Sequence, residues 1–352
     1  MEQLKPLVSV IIPCRNEVCH IDRCLQSVFA FDPVDGPIEV IAVDGLSDDG
    51  TYSILERWKT EHAELRVLQN PRRIVPTAMN IGIQAARGQW IVRLDAHSEY
   101  PPNYLQLCLE TSKRTGAENV GGIFLTLSRG NTNQAKLVQA LTTHKFGVGN
   151  AGFRIGTVEG PADTVPYGCY RREVFEAIGF YDERLVRNQD YELNSRLRRR
   201  GGVIWCNPAI HVFYYNQPTL RGLLRQAFVT GTWNSWMWYV APHTFVMRHI
   251  IPGIFVLALI ISFFAGFWSR VAFLGLGLIL IPYSILAVLS SIQQSRKFGE
   301  WMKWILPFMF LSYHLTYGAG ILWGVVRLFT HTAPVQHEAE PWPGAGRYRV
   351  AP

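Results

Sequence analysis

Paired cysteine is the first thing this sequence lacks. Six cysteines occur in 352 residues, none in a Cys-x-x-Cys pair, so neither a thiolate zinc site nor a disulfide framework is indicated. Cys14, Cys19, Cys24, Cys108, Cys169 and Cys206 read as ordinary reduced thiols, and His20 as a surface imidazole. No Gly-x-Gly-x-x-Gly follows the first apolar run, which disfavours a dinucleotide fold of the dehydrogenase kind. No Gly-x-Ser-x-Gly occurs either: "GLSDD" at Gly45 lacks the closing glycine, and with it the nucleophile elbow of a hydrolase. Internal repeats and low-complexity tracts are absent too. The run at 7–12 is too short for a secretory leader and continues into Pro-Cys-Arg-Asn-Glu, so no signal peptide is expected.

Charge is scarce, at 17% of residues, and after His249 it nearly vanishes. Residues 250–268, 271–292 and 305–326 are apolar stretches of about the ~20 residues that span a bilayer. Three buried core helices are the alternative, although core helices are rarely so uniformly apolar. Trp268, Trp301, Trp304 and Trp323 stand near the ends of these runs, where interfacial anchors concentrate. Arg296, Lys297 and Lys303 lie between the second and third runs, against Arg270 alone between the first and second. The positive-inside rule then puts the 293–304 loop and the N-terminal part in the cytoplasm. Three crossings would leave the tail on the far side, and a re-entrant segment would reverse that. The tail after Thr330, with Pro334, Pro341, Pro343 and Pro352, is expected to be poorly ordered.

The net charge of +7 raises the question of nucleic acid. Much of the excess sits at Arg196, Arg198, Arg199 and Arg200, and at Arg221, Arg225 and Arg248 near the apolar runs. Beside membrane segments, anionic headgroups or a lipid diphosphate are the expected partners, and nucleic acid is not. A solvated helix face is the other reading of Arg196–Arg200. Residues 219–240 mix apolar and aromatic side chains with Arg221 and Arg225, as an amphipathic helix at a membrane interface would.

Before residue 245 the pattern alternates. Residues 7–13 and 38–43 read as buried strands, 18–30 and 51–62 as helices, 66–68 as a short third strand, and 90–94 as a fourth. Pro76 and Gly88 bracket a helix between the last two. Strand–helix alternation with short links implies an α/β domain whose mostly parallel sheet is covered on both faces. Ligands of such sheets sit beyond the carboxyl ends of the strands. Three polar turns follow strand ends and should share one rim: Cys14–Glu17, Asp44–Asp49 and Asp95–Glu99.

A nucleoside-diphosphate ligand at that rim would find chemistry to suit it. Asp44 can accept hydrogen bonds from a base or ribose, and Arg72 and Arg73 can approach a diphosphate from a loop entering a helix. Asp95 and His97 point the same way by the period-two rule. An Asp–His pair is a workable partial ligand set for Mn²⁺; a plain strand-end Asp is the competing reading. Asn188 is placed to N-cap a helix, which sets Asp190 in its first turn beside the positive end of the dipole. That suits a general base or an ordinary helix start equally.

The ordered segments "SVIIPCRNE", "IEVIAVDGLSDDGT", "ARGQWIVRLDAHSEYPP", "GCYRREVFEAIGFYDE" and "NQDYELNSRLRRRG" resemble a family-2 inverting glycosyltransferase of the GT-A fold. The resemblance covers residues 7 to about 235. "DAH", "NPRR", "VPYGCYRR" and "VRNQD" are most similar to the succinoglycan-type exopolysaccharide glucosyltransferases, which are membrane-bound and use polyprenyl-linked acceptors. It implies that Pro13, Arg15, Asn16 and Glu17 line the nucleotide pocket. Asp44 stands at the first acid of the family's "VDDGS" turn, with Gly45 where the second would be. Asp95 and His97 stand at the Asp-x-Asp position, and His211 becomes a candidate further metal ligand. Asp190 matches the presumed base, with Gln189 replacing the glutamate before it. Gln226 to Trp233 lack the Gln-x-x-Arg-Trp pattern of processive synthases, which implies single-sugar transfer.

The domains implied are a GT-A domain at 1–218, an interface helix region at 219–247, a transmembrane region at 248–330 and a tail at 331–352. A UDP-sugar donor (glucose), a divalent metal (Mn²⁺ or Mg²⁺), a polyprenyl-linked saccharide and the lipid bilayer are the implied partners. The implied location is the bacterial inner membrane, multi-pass, with a cytoplasmic catalytic domain. Two alternatives stay open. "DAHSEYPP" echoes the "DADLQHPP" of polyprenyl-monophosphate glycosyltransferases, and Gly45 with Gln189 would suit a non-catalytic nucleotide-sugar-binding scaffold.

Overall fold

The computed structural model describes residues 5–128, 130–156 and 158–336; most of the proline-bearing tail lies outside the described residues. The alternation is present as β1 (Val8–Cys14), α1 (Ile21–Phe29), β2 (Ile38–Asp44), α2 (Thr51–Glu61), β3 (Leu65–Gln69), α3 (Val75–Ala85) and β4 (Trp90–Arg93). Pro76 stands in the first turn of α3, where its missing N–H costs nothing. The helix ends at Ala85, and Gly88 lies instead against β1, its amide donating to Ser9 Oγ at 2.8 Å. Next come β5 (Ser98–Glu99), α4 (Tyr104–Thr115) and β6 (Asn119–Leu127), then three helices, α5 (Asn133–Thr142), α6 (Lys145–Val148) and α7 (Gly152–Ile155). The chain continues through β7 (Gly160–Pro161), β8 (Cys169–Arg171), α8 (Arg172–Ile178), α9 (Gln189–Arg199) and β9 (Ile204–Tyr215).

The nine strands form one sheet in the order β3-β2-β1-β4-β8-β6-β9-β5, with β7 on β9. The half built from β3, β2, β1 and β4 is parallel, and β4 pairs antiparallel with β8. Every residue of β1 is buried, as a strand covered on both faces requires. Ile11, Ile41, Met79, Ile91, Phe175 and Leu193 belong to one core beside the sheet.

Two compact units divide the chain. Among the described residues, the sheet unit takes 5–125 and Gly156–Tyr214, and the helical unit takes Thr126–Ile155 and 215–336. Thus α5 and α6 group with the C-terminal helices, although sequence reading sets 126–155 inside the first domain. Leu137, Val138 and Leu141 of α5 share a core with Leu306, Met309 and Phe310. Gln294 also donates to the Ala140 carbonyl.

The helical unit contains α10 (Leu220–Val240), α11 (Met247–Ala265), α12 (Arg270–Phe298) and α13 (Met302–Phe329). The last three are long and apolar enough to cross a membrane, and no more than a third of each apolar window is buried. The helix expected to lie at an interface is α10, and one of its faces is docked on α13. Thr232 Oγ1, Ser235 Oγ and Trp236 Nε1 donate to the carbonyls of Gly320 (3.1 Å), Ile321 (2.9 Å) and Gly324 (3.1 Å). A β-carbon at Gly231 would run into the Tyr317 carbonyl, and one at Gly320 into that of Phe228. Small residues admit this approach, and hydroxyl-to-carbonyl bonds then secure it.

Candidate functional site

Strand register builds the rim. Cys14 stands opposite Asp44, Asp44 opposite Gln69, and Ile11 opposite Arg93. The turns after β1, β2, β3 and β4 therefore leave the same sheet edge. Pro13 is the penultimate residue of β1, level with Val43.

The first two turns are sewn together by side chains. Asn16 N–H donates to Ser47 Oγ at 2.9 Å, and Asp48 N–H to Asn16 Oδ1 at 3.1 Å. Glu17 N–H donates to Thr51 Oγ1 at 2.8 Å, and Val18 N–H to Asp49 Oδ2 at 3.0 Å. Asp44 is 1% exposed, and its carboxylate accepts from the Ser47 amide at 3.0 Å and from its hydroxyl. A β-carbon at Gly45 would stand 3.1 Å from the Arg15 stem. The arginine thus packs over the place where the resemblance leads one to look for an acid.

Asn70 carries the rim to the third turn: its amide donates to the Asp44 carbonyl at 2.7 Å, and its side chain closes the turn onto Ile74 at 2.9 Å. Arg72 is held from behind, since its Nη1 pairs with Glu183 at 2.5 Å. That glutamate is 8% exposed and also accepts from Thr77 (2.7 Å) and Asn80 (2.9 Å). Arg73 is exposed, with φ at +59°. Among the described residues six non-glycine residues have positive φ, and five of them, Asn16, Leu46, Arg73, Tyr167 and Asn188, lie in the turns of the candidate site or the segments leading to it. Concentrated backbone strain of this kind is a mark of functional sites.

At the fourth turn Asp95 is gripped by Arg93, 8% exposed, whose Nε and Nη2 both reach Asp95 Oδ1 at 3.1 Å. Asp95 Oδ2 has no bonding partner among the described residues. Burial would pull the Arg93 guanidinium down, but Asp95, then Tyr181 and Asp190, hold it well above the usual arginine range. Only Asp95 is bonded to Arg93 directly; Asp190 contributes to the surrounding field. Arg93 Nη1 and Gln189 Oε1 are buried without a hydrogen-bond partner, as atoms awaiting a water or ligand are. His97 Nδ1 is 3.4 Å from Glu17 Oε1.

The local field is acidic. Burial first, then Asp44, Glu17 and Asp49, push the Cys14 thiol far above its usual range. Cys24 is raised by burial as well, then by Cys14, Asp95, Glu17 and Glu99. Both stay thiols, as expected from their isolation in sequence.

No three His, Cys, Asp or Glu side chains among the described residues are grouped closely enough to hold a metal alone. His211 is not brought to Asp95 and His97. Ser98 pairs with Tyr214 and Glu99 with Phe213, so extending the register sets His211 level with Pro101, about 13 Å along the strand from His97. Asp95 and His97 thus stand as a two-residue set in an acidic field, and a cation there would draw its other ligands from its substrate and water.

Asn188 does occupy the position before α9, but in a left-handed conformation and with no side-chain cap bond. Asp190 is in the first turn, half-exposed, its Oδ1 3.0 Å from the Tyr191 amide. The arginines that follow are partly committed internally. Arg196 pairs with Glu192 at 2.6 Å and donates to the carbonyls of Ile178 and Phe180, and Arg200 donates to that of Ala177. These bonds lock α9 to the chain around α8, while Arg198 and Arg199 stay exposed.

Comparison with known proteins agrees with this geometry. The family model Glycosyl transferase family 2 matches residues 9–179. Succinoglycan biosynthesis protein ExoA of Rhizobium meliloti (strain 1021) is 31% identical over 248 residues, 70% of this chain and 72% of that protein. A Methanococcus voltae relative, dolichyl N-acetyl-alpha-D-glucosaminyl phosphate 3-beta-D-2,3-diacetamido-2,3-dideoxy-beta-D-glucuronosyltransferase, is 24% identical over 91% of this chain and 97% of its own. Among solved structures, the mannosyltransferase PcManGT from Pyrobaculum calidifontis, in complex with GDP-Man and Mn2+, has a TM-score of 0.57 at 16% identity, covering 93% of this chain and 88% of that one. The fold is GT-A, and the chain is a glycosyltransferase that belongs to glycosyl transferase family 2.

Proposed function

We propose that the chain moves one sugar, glucose from a UDP donor, to a saccharide carried on polyprenyl diphosphate, with inversion at the anomeric carbon. One observation carries this reading: the turns after β1, β2, β3 and β4 leave one sheet edge, which brings Asp44, Arg72 and Asp95 to a common rim. Pro13 near the end of β1, the turn with Arg15, Asn16 and Glu17, and Asp44 at the end of β2 supply the walls of a nucleotide pocket. Arg72, pre-oriented by Glu183, and Arg73 face the diphosphate. Asp190 takes the proton of the acceptor hydroxyl as its oxygen attacks the anomeric carbon from the face opposite the diphosphate. The bond to the diphosphate oxygen breaks, its electron pair leaves with the diphosphate, and an α-linked donor gives a β product. A divalent ion on Asp95 and His97, Mn²⁺ by preference, would neutralise charge on the leaving diphosphate.

Support for a lipid-linked acceptor comes from the three apolar helices and from relatives named for succinoglycan biosynthesis and for a dolichyl-phosphate-linked sugar. Arg296 and Lys297 stand in the last turn of α12 and Lys303 in the first turn of α13, so the expected 293–304 loop is mostly helical; this basic corner argues for the cytoplasmic face of a bacterial inner membrane.

The test is label transfer in membranes carrying the protein, with labelled UDP- and GDP-sugars, polyprenyl-linked saccharides, and Mn²⁺ or a chelator. Label should enter the lipid fraction from a UDP-sugar and only with metal. UDP binding without transfer to any acceptor would instead favour the scaffold reading.

Glu183→Gln is expected to raise the donor KM about tenfold with kcat within twofold, the signature of lost uniform binding. Arg72 would lose the charge that orients it, while Thr77 and Asn80 keep hydrogen-bonding partners. Unchanged UDP affinity in a binding titration would make Glu183 a purely structural residue.

A further inference from the structure

A groove of about 620 Å³ opens within the helical unit, between the first turns of α10, the start of α5 and the middle of α13. Its floor is Leu220, Leu224 and Phe228, with Thr316 of α13 alongside. Arg221 and Arg225 stand on its wall. Both are exposed, and neither has an ion pair or hydrogen bond among the described residues. Four residues apart on one helix, they are neighbours about 6 Å apart on the same face. Two unpaired guanidiniums above an apolar floor, in a unit built from membrane-length helices, match an anionic lipid end. Their spacing suits two linked phosphoryl groups better than the single charge of a phosphodiester.

We propose that this groove seats the diphosphate end of the lipid-linked acceptor. Arg221 and Arg225 each take one phosphoryl group, and Leu220, Leu224 and Phe228 carry the first isoprene units. The assignment of this lipid as acceptor rests on the transfer reading above; the site itself is tested without catalysis.

The experiment uses the full chain in phosphatidylcholine nanodiscs, saturated with UDP so that the donor site is closed to the probe. Farnesyl diphosphate and inorganic diphosphate are titrated calorimetrically. Arg221→Gln and Arg225→Gln are each expected to weaken farnesyl diphosphate about tenfold, with UDP affinity unchanged as proof of folding. Leu224→Asn is expected to weaken farnesyl diphosphate while sparing inorganic diphosphate.

Equal affinity in wild type and both arginine variants would overturn the site, as would no binding by the wild type. So would displacement of farnesyl diphosphate by phosphatidylglycerol at equal mole fraction, which would mark a place for bulk anionic lipid. The two proposals fail separately. Normal acceptor KM in the arginine variants would remove this groove and leave the transfer reading standing. Groove binding without transfer to any acceptor would do the reverse.

Discussion

Asp190→Asn is expected to lower the transfer rate by about a hundred- to ten-thousand-fold, the usual contribution of a positioned base, while UDP affinity stays within twofold. The substitution keeps the shape of a half-exposed side chain in the first turn of α9, so folding has little to lose. It removes the proton acceptor and one of the charges that act on Arg93. The measurement pairs single-turnover transfer with a UDP titration on the same preparation. A polyprenyl monophosphate acceptor arrives with its nucleophile already ionised, so an Asp190→Asn protein that retained most of its rate would move the function to that rival. Loss of UDP binding along with the rate would make Asp190 a residue of the donor pocket rather than the base.

The fold was legible where side chains repeat with one period. The runs of Val and Ile in β1 and β2 allow only buried strands, and turns between strand and helix then have to share an edge. The antiparallel half was legible only in part. The glycine-containing strand and short helix of "TVPYGCYRREVFEAIG" are there as β8 and α8, whereas β5 and β7 are two residues long, too short for any period to show. The 126–155 segment gave no local sign of its partners either: α5 is an ordinary amphipathic helix, and only the fold presents its apolar face to Leu306 and Phe310.

The site divides likewise. Asp95 and His97 could be read from a strand end, and Asp190 from a helix start. Glu183 could not, because it meets Arg72 across 111 positions of sequence. Arg93 did leave a signal that was passed over, a lone charge in the otherwise apolar strand "WIVRL", two residues before Asp95. A cation buried at that spacing has to find its counter-ion on the same side of the strand. His211 shows the opposite error: a residue type that suits a metal, carried on a strand whose register takes it elsewhere.

Asp95→Ala should therefore do two kinds of damage that His97→Ala does not. Loss of the Asp95 carboxylate removes its part in binding the diphosphate and any cation, and the rate should fall by about a hundred- to a thousand-fold. It also leaves Arg93 buried without its bonded carboxylate. Breaking a buried pair on one side costs about 3 kcal/mol or more, which corresponds to a Tm lower by about 6–12 °C in a unit of this size. His97 is more exposed than Asp95, and its Nδ1 stands 3.4 Å from Glu17 Oε1. His97→Ala should accordingly leave Tm within about 1 °C, as surface substitutions do, and show its effect in the Mn²⁺ concentration needed for half-maximal rate. The double variant Arg93→Met with Asp95→Ala separates the two losses. Removing both charges replaces an orphaned cation with apolar contact, so most of the Tm should return while the rate stays low. Should Asp95→Ala unfold no more readily than wild type, the Arg93–Asp95 pair contributes nothing to stability. Arg93 would then be held in place by the chain around it, independent of the acid it touches.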